Sequence, residues 1–220
     1  MNFGDLKSIS RGIVPGAKTS VISNTVRDLI LNEGAKNVAA LTQPLKTSTL
    51  FAATADIDEY DLTTIDSKFL SITEEGLWWD NGTNWIQLKP RTIKWLDDNY
   101  STWRDADSSD PEYYYQYGDT IGVYPAPDTT LADGFKLYYS EQPPTMTSNA
   151  KFPFGGDTEI SRLAILSESI LTYWRVQALK IIGKASGDEI TIAKKDYMEE
   201  VAEKAVLINN RFDISADMRL

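Results

Sequence analysis

Three groups of side chains have types and spacings that can do chemistry. Asp105-x-Asp107-x-Ser109 opens like a calcium loop, in which alternating oxygen ligands wrap a hard cation. The sixth position is Asp110 where such a loop needs glycine, Pro111 follows, and the twelfth is Gln116 instead of a bidentate glutamate. The expectation is a solvated loop and no metal. Trp78, Trp79 and Trp85, with Tyr113 to Tyr117, offer flat π faces that can stack on a sugar or an exposed base. Yet 16 of the 24 aromatics lie between residues 60 and 139, where a thin β core also needs bulk, so core packing is the simpler expectation. Asp97-Asp98 and Glu74-Glu75 are sequence neighbours that point to different sides, whereas glycoside cleavage needs two carboxylates converging across about 5–10 Å.

What is missing narrows the chemistry further. The chain has no cysteine and no histidine, which removes thiol nucleophiles, thiolate metal sites, serine triads and zincin-type centres together. No Walker loop and no glycine-rich phosphate turn follows an expected strand. The expectation is a protein without catalytic residues and without cofactor.

These groups need elements to hold them. Residues 1–18, with Gly4, Gly12, Pro15 and Gly16, read as an irregular basic arm. Ser20 is placed to cap a helix with Ile22, Val26, Leu29 and Ile30 on one stripe, stopped at Glu33-Gly34. From 48 to 89 the period drops towards two. Asn81-Gly82 predicts a two-residue hairpin turn in which Trp78 faces Trp85 and Leu77 faces Ile86. Pro90 suits the first position of a helix presenting Ile93, Leu96, Tyr100 and Trp103. Gly118-Asp119 closes a second hairpin that sets Tyr115 against Gly122. Tyr113, Tyr115, Tyr117 and Tyr124 share one face of it, and Tyr114, Ile121 and Val123 the other. Both faces are apolar enough to require cover, from a second sheet or a neighbouring subunit.

After a proline- and glycine-rich linker over 140–158, Asp157 or Thr158 is placed to cap a helix apolar on more than one stripe, which makes it central; Gly183 ends it. Asp188 caps a last helix with Ile190, Ala193, Tyr197, Val201, Ala205 and Ile208 facing inward and a Glu200–Lys204 pair on its solvated side. Residues 209–220 read as a tail. The fold class is α+β: a helical bundle, built from an N-terminal helix and two long C-terminal helices, with a β-rich antiparallel insertion. The expected divisions are 1–47, 48–145 with a short helix near 90–103, and 146–220.

Net charge is −10, and its distribution is uneven. Residues 1–50 hold six Lys/Arg against three Asp/Glu, whereas residues 97–141 hold two against ten. Such an acidic segment disfavours phosphate binding, so sequence-independent adhesion to DNA is not expected there. No apolar run approaches the roughly 20 residues that span a bilayer, and Met1 to Lys7 lacks the layout of a secretory leader, so no membrane partner is expected.

Lys94-Trp-Leu-Asp-Asp-Asn-Tyr100, Trp103-Arg-Asp-Ala-Asp107 and the run from Pro111 to Pro127 with its Tyr124-Pro-x-Pro exit resemble tailed-bacteriophage head–tail connector proteins, also called portal adaptors. The tail tubular protein A type is similar. The resemblance implies a virion neck protein, made in the host bacterial cytoplasm, that forms a ring with copies of itself, usually twelvefold in that family. Its implied partners are the portal protein, a tail or nozzle protein, and double-stranded DNA passing without sequence-specific binding. Candidate interface residues are Arg11 and Arg27 with Lys7 and Lys18 in the basic lead-in, Trp78, Trp85, Tyr113 and Tyr115 in the β insertion, and Ile214, Met218 and Leu220 at the C-terminus. The alternative from the residues alone is a glycan-binding β module of a phage tail using Trp78, Trp79 and Trp85.

Overall fold

A computed structural model describes the backbone of residues 1–183 and 186–217, with side chains as far as 208. The architecture is the α+β arrangement expected, and the chain divides into two compact units. Residues 1–45 and 142–220 form a helical unit, and residues 46–141 form a β unit.

The helical unit begins earlier than the arm expected over 1–18. Helix α1 spans Phe3–Ile13, because Asn2 and Asp5 form a reciprocal capping box and Phe3 and Leu6 bury one side. Helix α2 spans Asn24–Thr42 and is capped by Ser23, not Ser20. It runs through Gly34, the expected stop. A Cβ there would stand 3.1 Å from the Tyr173 ring and 3.2 Å from Ile170, so this glycine serves a close helix crossing. Gln43 takes the left-handed cap instead. The buried stripe accordingly shifts to Ile30, Leu31, Ala35, Val38 and Ala39, leaving Val26 and Leu29 exposed.

Helix α5, Leu166–Ile182, is the central one. It packs on α1, on α2 and on helix α6, Gly187–Asp217, and Trp174 is fully buried with its Nε1–H donating to the Ser10 carbonyl at 2.8 Å. Its start lies later than the expected cap. Asp157 is paired with Lys151 and residues 152–158 close on themselves, so a 3-10 turn at Ser161–Leu163 intervenes. Ser186 and Glu189, not Asp188, cap α6 reciprocally. No glycine or proline follows position 187, so α6 continues to Asp217 where a tail was expected.

The β unit is a sandwich of two four-stranded sheets. Strands β1 (Lys46–Ala53), β3 (Phe69–Asp80), β4 (Trp85–Gln87) and β8 (Leu131–Glu141) make one, in the order β1-β8-β3-β4. Strands β2 (Glu59–Asp61), β5 (Lys89–Pro90), β6 (Tyr113–Tyr117) and β7 (Thr120–Tyr124) make the other, in the order β2-β7-β6-β5. A one-turn helix α3, Leu62–Ile65, follows β2. Alternate inward residues fill the space between the sheets: Leu77, Trp79, Phe135, Leu137 and Tyr139 against Tyr114, Ile121 and Val123.

The β3–β4 hairpin forms, but in another register. Asn81 Oδ1 accepts the Thr83 and Asn84 N–H groups, which makes a four-residue loop, so Trp78 faces Gln87 and Trp85 faces Asp80. Pro90 lies in β5 beside β6, not in a helix; Thr92 caps helix α4, Ile93–Asn99, by accepting the Trp95 N–H. Leu96 and Trp103 nevertheless meet, and with Tyr115 they form a second small core. Both faces of the β6–β7 hairpin are therefore covered by the chain itself.

That hairpin holds the expected register, Tyr115 opposite Gly122. A Cβ at 122 would lie 2.0 Å from Tyr115 Cζ, and the ring is buried with its hydroxyl donating to Glu59 at 3.0 Å. Gly122→Ala should therefore cost about 1–3 kcal/mol or more in chemical denaturation, with part of that loss recovered by adding Tyr115→Leu. An unchanged midpoint for the single variant would show that the ring does not cover this position.

Candidate functional site

Among the described residues, the groups singled out for chemistry lie in separate places. Asp105 and Asp107 line a cleft of about 490 Å³ with Asp56, Asp58 and Arg104. Backbone bonds tie the loop down, the Ser109 N–H donating to Ala126, while Ser108 Oγ donates to Asp56 at 2.5 Å. Among the described residues, no group of three or more metal-ligating side chains is gathered closely enough to hold an ion. Asp97 accepts from Trp103 and Arg104, and those bonds hold its carboxyl below the usual aspartate range. Glu75 is bonded towards Lys46, and Asp98 towards Lys94. Asp97 thus ties the end of α4 to the following turn, Asp98 pairs along α4, and Glu75 links β3 to β1.

The aromatic platform is divided between layers. Trp79 is in the sandwich core, its indole N–H on Asp110. Trp78 and Trp85 lie on the opposite face of their sheet, Trp78 half-buried against Tyr138 and Trp85 exposed. Tyr113 belongs to the other sheet and packs on Trp95 and Tyr124, with Tyr115 buried beneath. No single surface carries all the rings that a three-tryptophan glycan site needs.

The basic lead-in is engaged within the helical unit. Arg11 donates to the carbonyls of Ala17 and Ile22 and to Asn24 Oδ1, which fastens the turn between α1 and α2. Lys7 and Arg27 both bind Asp28. Burial pushes the Asp28 carboxyl up, but these two cations more than offset it and hold it below the usual range. Lys18 is exposed. The side chain of Ile214, and Met218 and Leu220 altogether, lie outside the described residues.

A polar cluster the sequence reading missed lies between α5 and α6. The Glu200–Lys204 pair does not sit on a solvated side. Glu200 accepts from Ser169 Oγ at 2.9 Å and Thr172 Oγ1 at 2.7 Å, and Lys204 bridges Glu200 and Glu168. The signal was available: Ser169 and Thr172 stand three apart on one side of α5, and such hydroxyls need a polar partner when covered.

Charge separates the units sharply. Residues 46–141 hold 7 Lys/Arg against 18 Asp/Glu, net −11, and the remaining residues hold 15 against 14, net +1. Among the described residues, no helix is long and apolar enough to cross a membrane. Uncovered apolar side chains persist on helices, as at Leu29, Ile192 and Val206.

Residues 1–200 match the SU10 adaptor protein family, across both units. The chain belongs to the SU10 adaptor protein family. That family is one of phage head–tail adaptors, so the chain is a structural component of a virion. No curated protein matches it. In this SU10 adaptor the Glu200 cluster links α6 to the central helix α5.

Burial pushes the Glu200 carboxyl up, but the bonds from Lys204, Thr172 and Ser169 outweigh it and hold it below the ordinary glutamate range. A depressed folded-state pKa adds stability that is present above the unfolded value and lost as pH falls through the folded one. Thermal stability should therefore drop on acidification below the ordinary glutamate range, and Glu200→Gln should flatten that part of the profile while costing about 1 kcal/mol at neutral pH. Identical pH profiles for the two proteins would remove Glu200 from the account.

Proposed function

We propose that this adaptor forms a ring between the portal and the tail of a phage, twelvefold by analogy with connector proteins of the tail tubular protein A type. It extends the DNA channel, helps retain the packaged genome and gives the tail a surface to dock on. The observation that carries the reading is the family match over residues 1–200, which takes in helical and β units together.

Two features support it. The fold builds rigid layers from side chains that bind each other, as expected of a mechanical part. The β unit's net −11 disfavours adhesion to a passing phosphate backbone, which suits a conduit. Trp85 and the exposed apolar positions of the helices are the contacts we assign to neighbouring proteins, along with the C-terminal Ile214, Met218 and Leu220. The remaining candidates, Arg11, Arg27, Trp78, Tyr113 and Tyr115, act by shaping the surfaces around them.

Infection with a phage carrying a stop codon early in this gene tests the reading. The expected product is portal-bearing heads without tails, completed to infectious particles by adding the purified protein. Tailed particles of normal infectivity from the mutant would contradict it.

A further inference from the structure

Strand β1 is an edge strand, regular from Lys46 to Phe51 and irregular only at its end, where the pairing with β8 shifts between Phe51 and Ala53. It pairs with β8 alone, so its other side carries a row of backbone donors and acceptors without a second strand among the described residues. Edge strands are ordinarily protected by charges, proline, bulges or extreme shortness, and the irregularity of β1 leaves the stretch from Thr47 to Phe51 without any of these. Thr47-Ser-Thr-Leu-Phe-Ala52 has no charge and no proline, is rich in strand-forming types, and spans roughly 20 Å at the usual rise. Ser48, Leu50 and Ala52 are exposed, and the residues between them are half-buried.

The two ends of this strand are acidic. Near Lys46 stand Glu74, Glu75 and Glu141; beyond Ala53 stand Asp56 and, on β8, Asp133. Lys46 offsets one of these five charges, while Lys136 stands opposite Leu50 in mid-strand with its ammonium over the Tyr138 ring. A second copy would bring another β unit of net −11 against the first, which disfavours pairing between like edges.

We propose that β1 accepts an extended segment of a different virion protein as an added strand, with an uncharged stretch of about six residues flanked by Lys or Arg. Main-chain hydrogen bonds supply the attachment, and the acidic ends set position and exclude acidic competitors. This rests on the adaptor reading.

Hydrogen–deuterium exchange on the purified full chain and on the same chain in virions tests it. Amides of residues 47–52 that exchange freely in the purified protein should slow by roughly 100-fold in virions. Glu74→Lys with Asp133→Lys, both at exposed positions, should leave exchange in the purified protein unchanged and lower incorporation into particles at least tenfold. Unchanged exchange of β1 in virions that contain the chain would overturn the proposal while leaving the adaptor reading intact. Protection already present in assemblies of the purified chain would assign the edge to a second copy and overturn it too. Wild-type incorporation of the double variant would overturn the cationic partner, and absence of the chain from virions would overturn both readings.

Discussion

Because Lys46 stands opposite Ser140 on neighbouring antiparallel strands, the chain enters the β unit and leaves it within about 5 Å. The whole division of the molecule follows from that pairing. Residues 1–45 and 142–220 can then build one helical unit although 96 residues lie between them in sequence. Closing so long an insertion costs an entropy that grows only with the logarithm of its length, and the β1–β8 ladder contributes directly to offsetting it. Each unit has its own apolar centre: α5 with Trp174 in one, the facing residues of two sheets in the other.

Polar groups supply direction where apolar packing does not. Arg11 fastens the α1–α2 turn, and Glu200 and Lys204 fix the α5–α6 face. The Tyr115 and Tyr139 hydroxyls end on Glu59 and Asp66. Burial and those carboxylates push both phenols up, so they remain neutral donors at any physiological pH. Charged and titratable side chains are thereby tied into the scaffold, which is consistent with a protein whose work is to hold other proteins in place.

Much of this was legible in the sequence, for identifiable reasons. The β6–β7 register was readable because Gly118-Asp119 dictates a tight turn and Gly122 leaves room for one ring. The central place of α5 followed from apolar residues on more than one stripe. Other elements were misread where one residue had a second use. Gly34 looks like a stop but is a crossing point, Asn81 binds its own loop and so lengthens the turn, and Pro90 edges a strand. Phe3 and Leu6 sit in a lead-in whose glycines and proline suggest disorder, and the Asn2–Asp5 box outweighs that suggestion. The aromatic platform failed because sequence cannot tell which of three tryptophans turns inward; Trp79 does. Partner surfaces are the least legible, since exposure of Leu29 or Val206 depends on helix orientation that only packing fixes.

We propose that this chain is a neck component holding portal and tail together. That role is tested most directly by gold-labelled antibody on intact virions and tailless heads, with copy number taken from quantitative mass spectrometry. The expected result is label at the neck in ring-like stoichiometry. Label at the distal tail, or none on either particle, would contradict it.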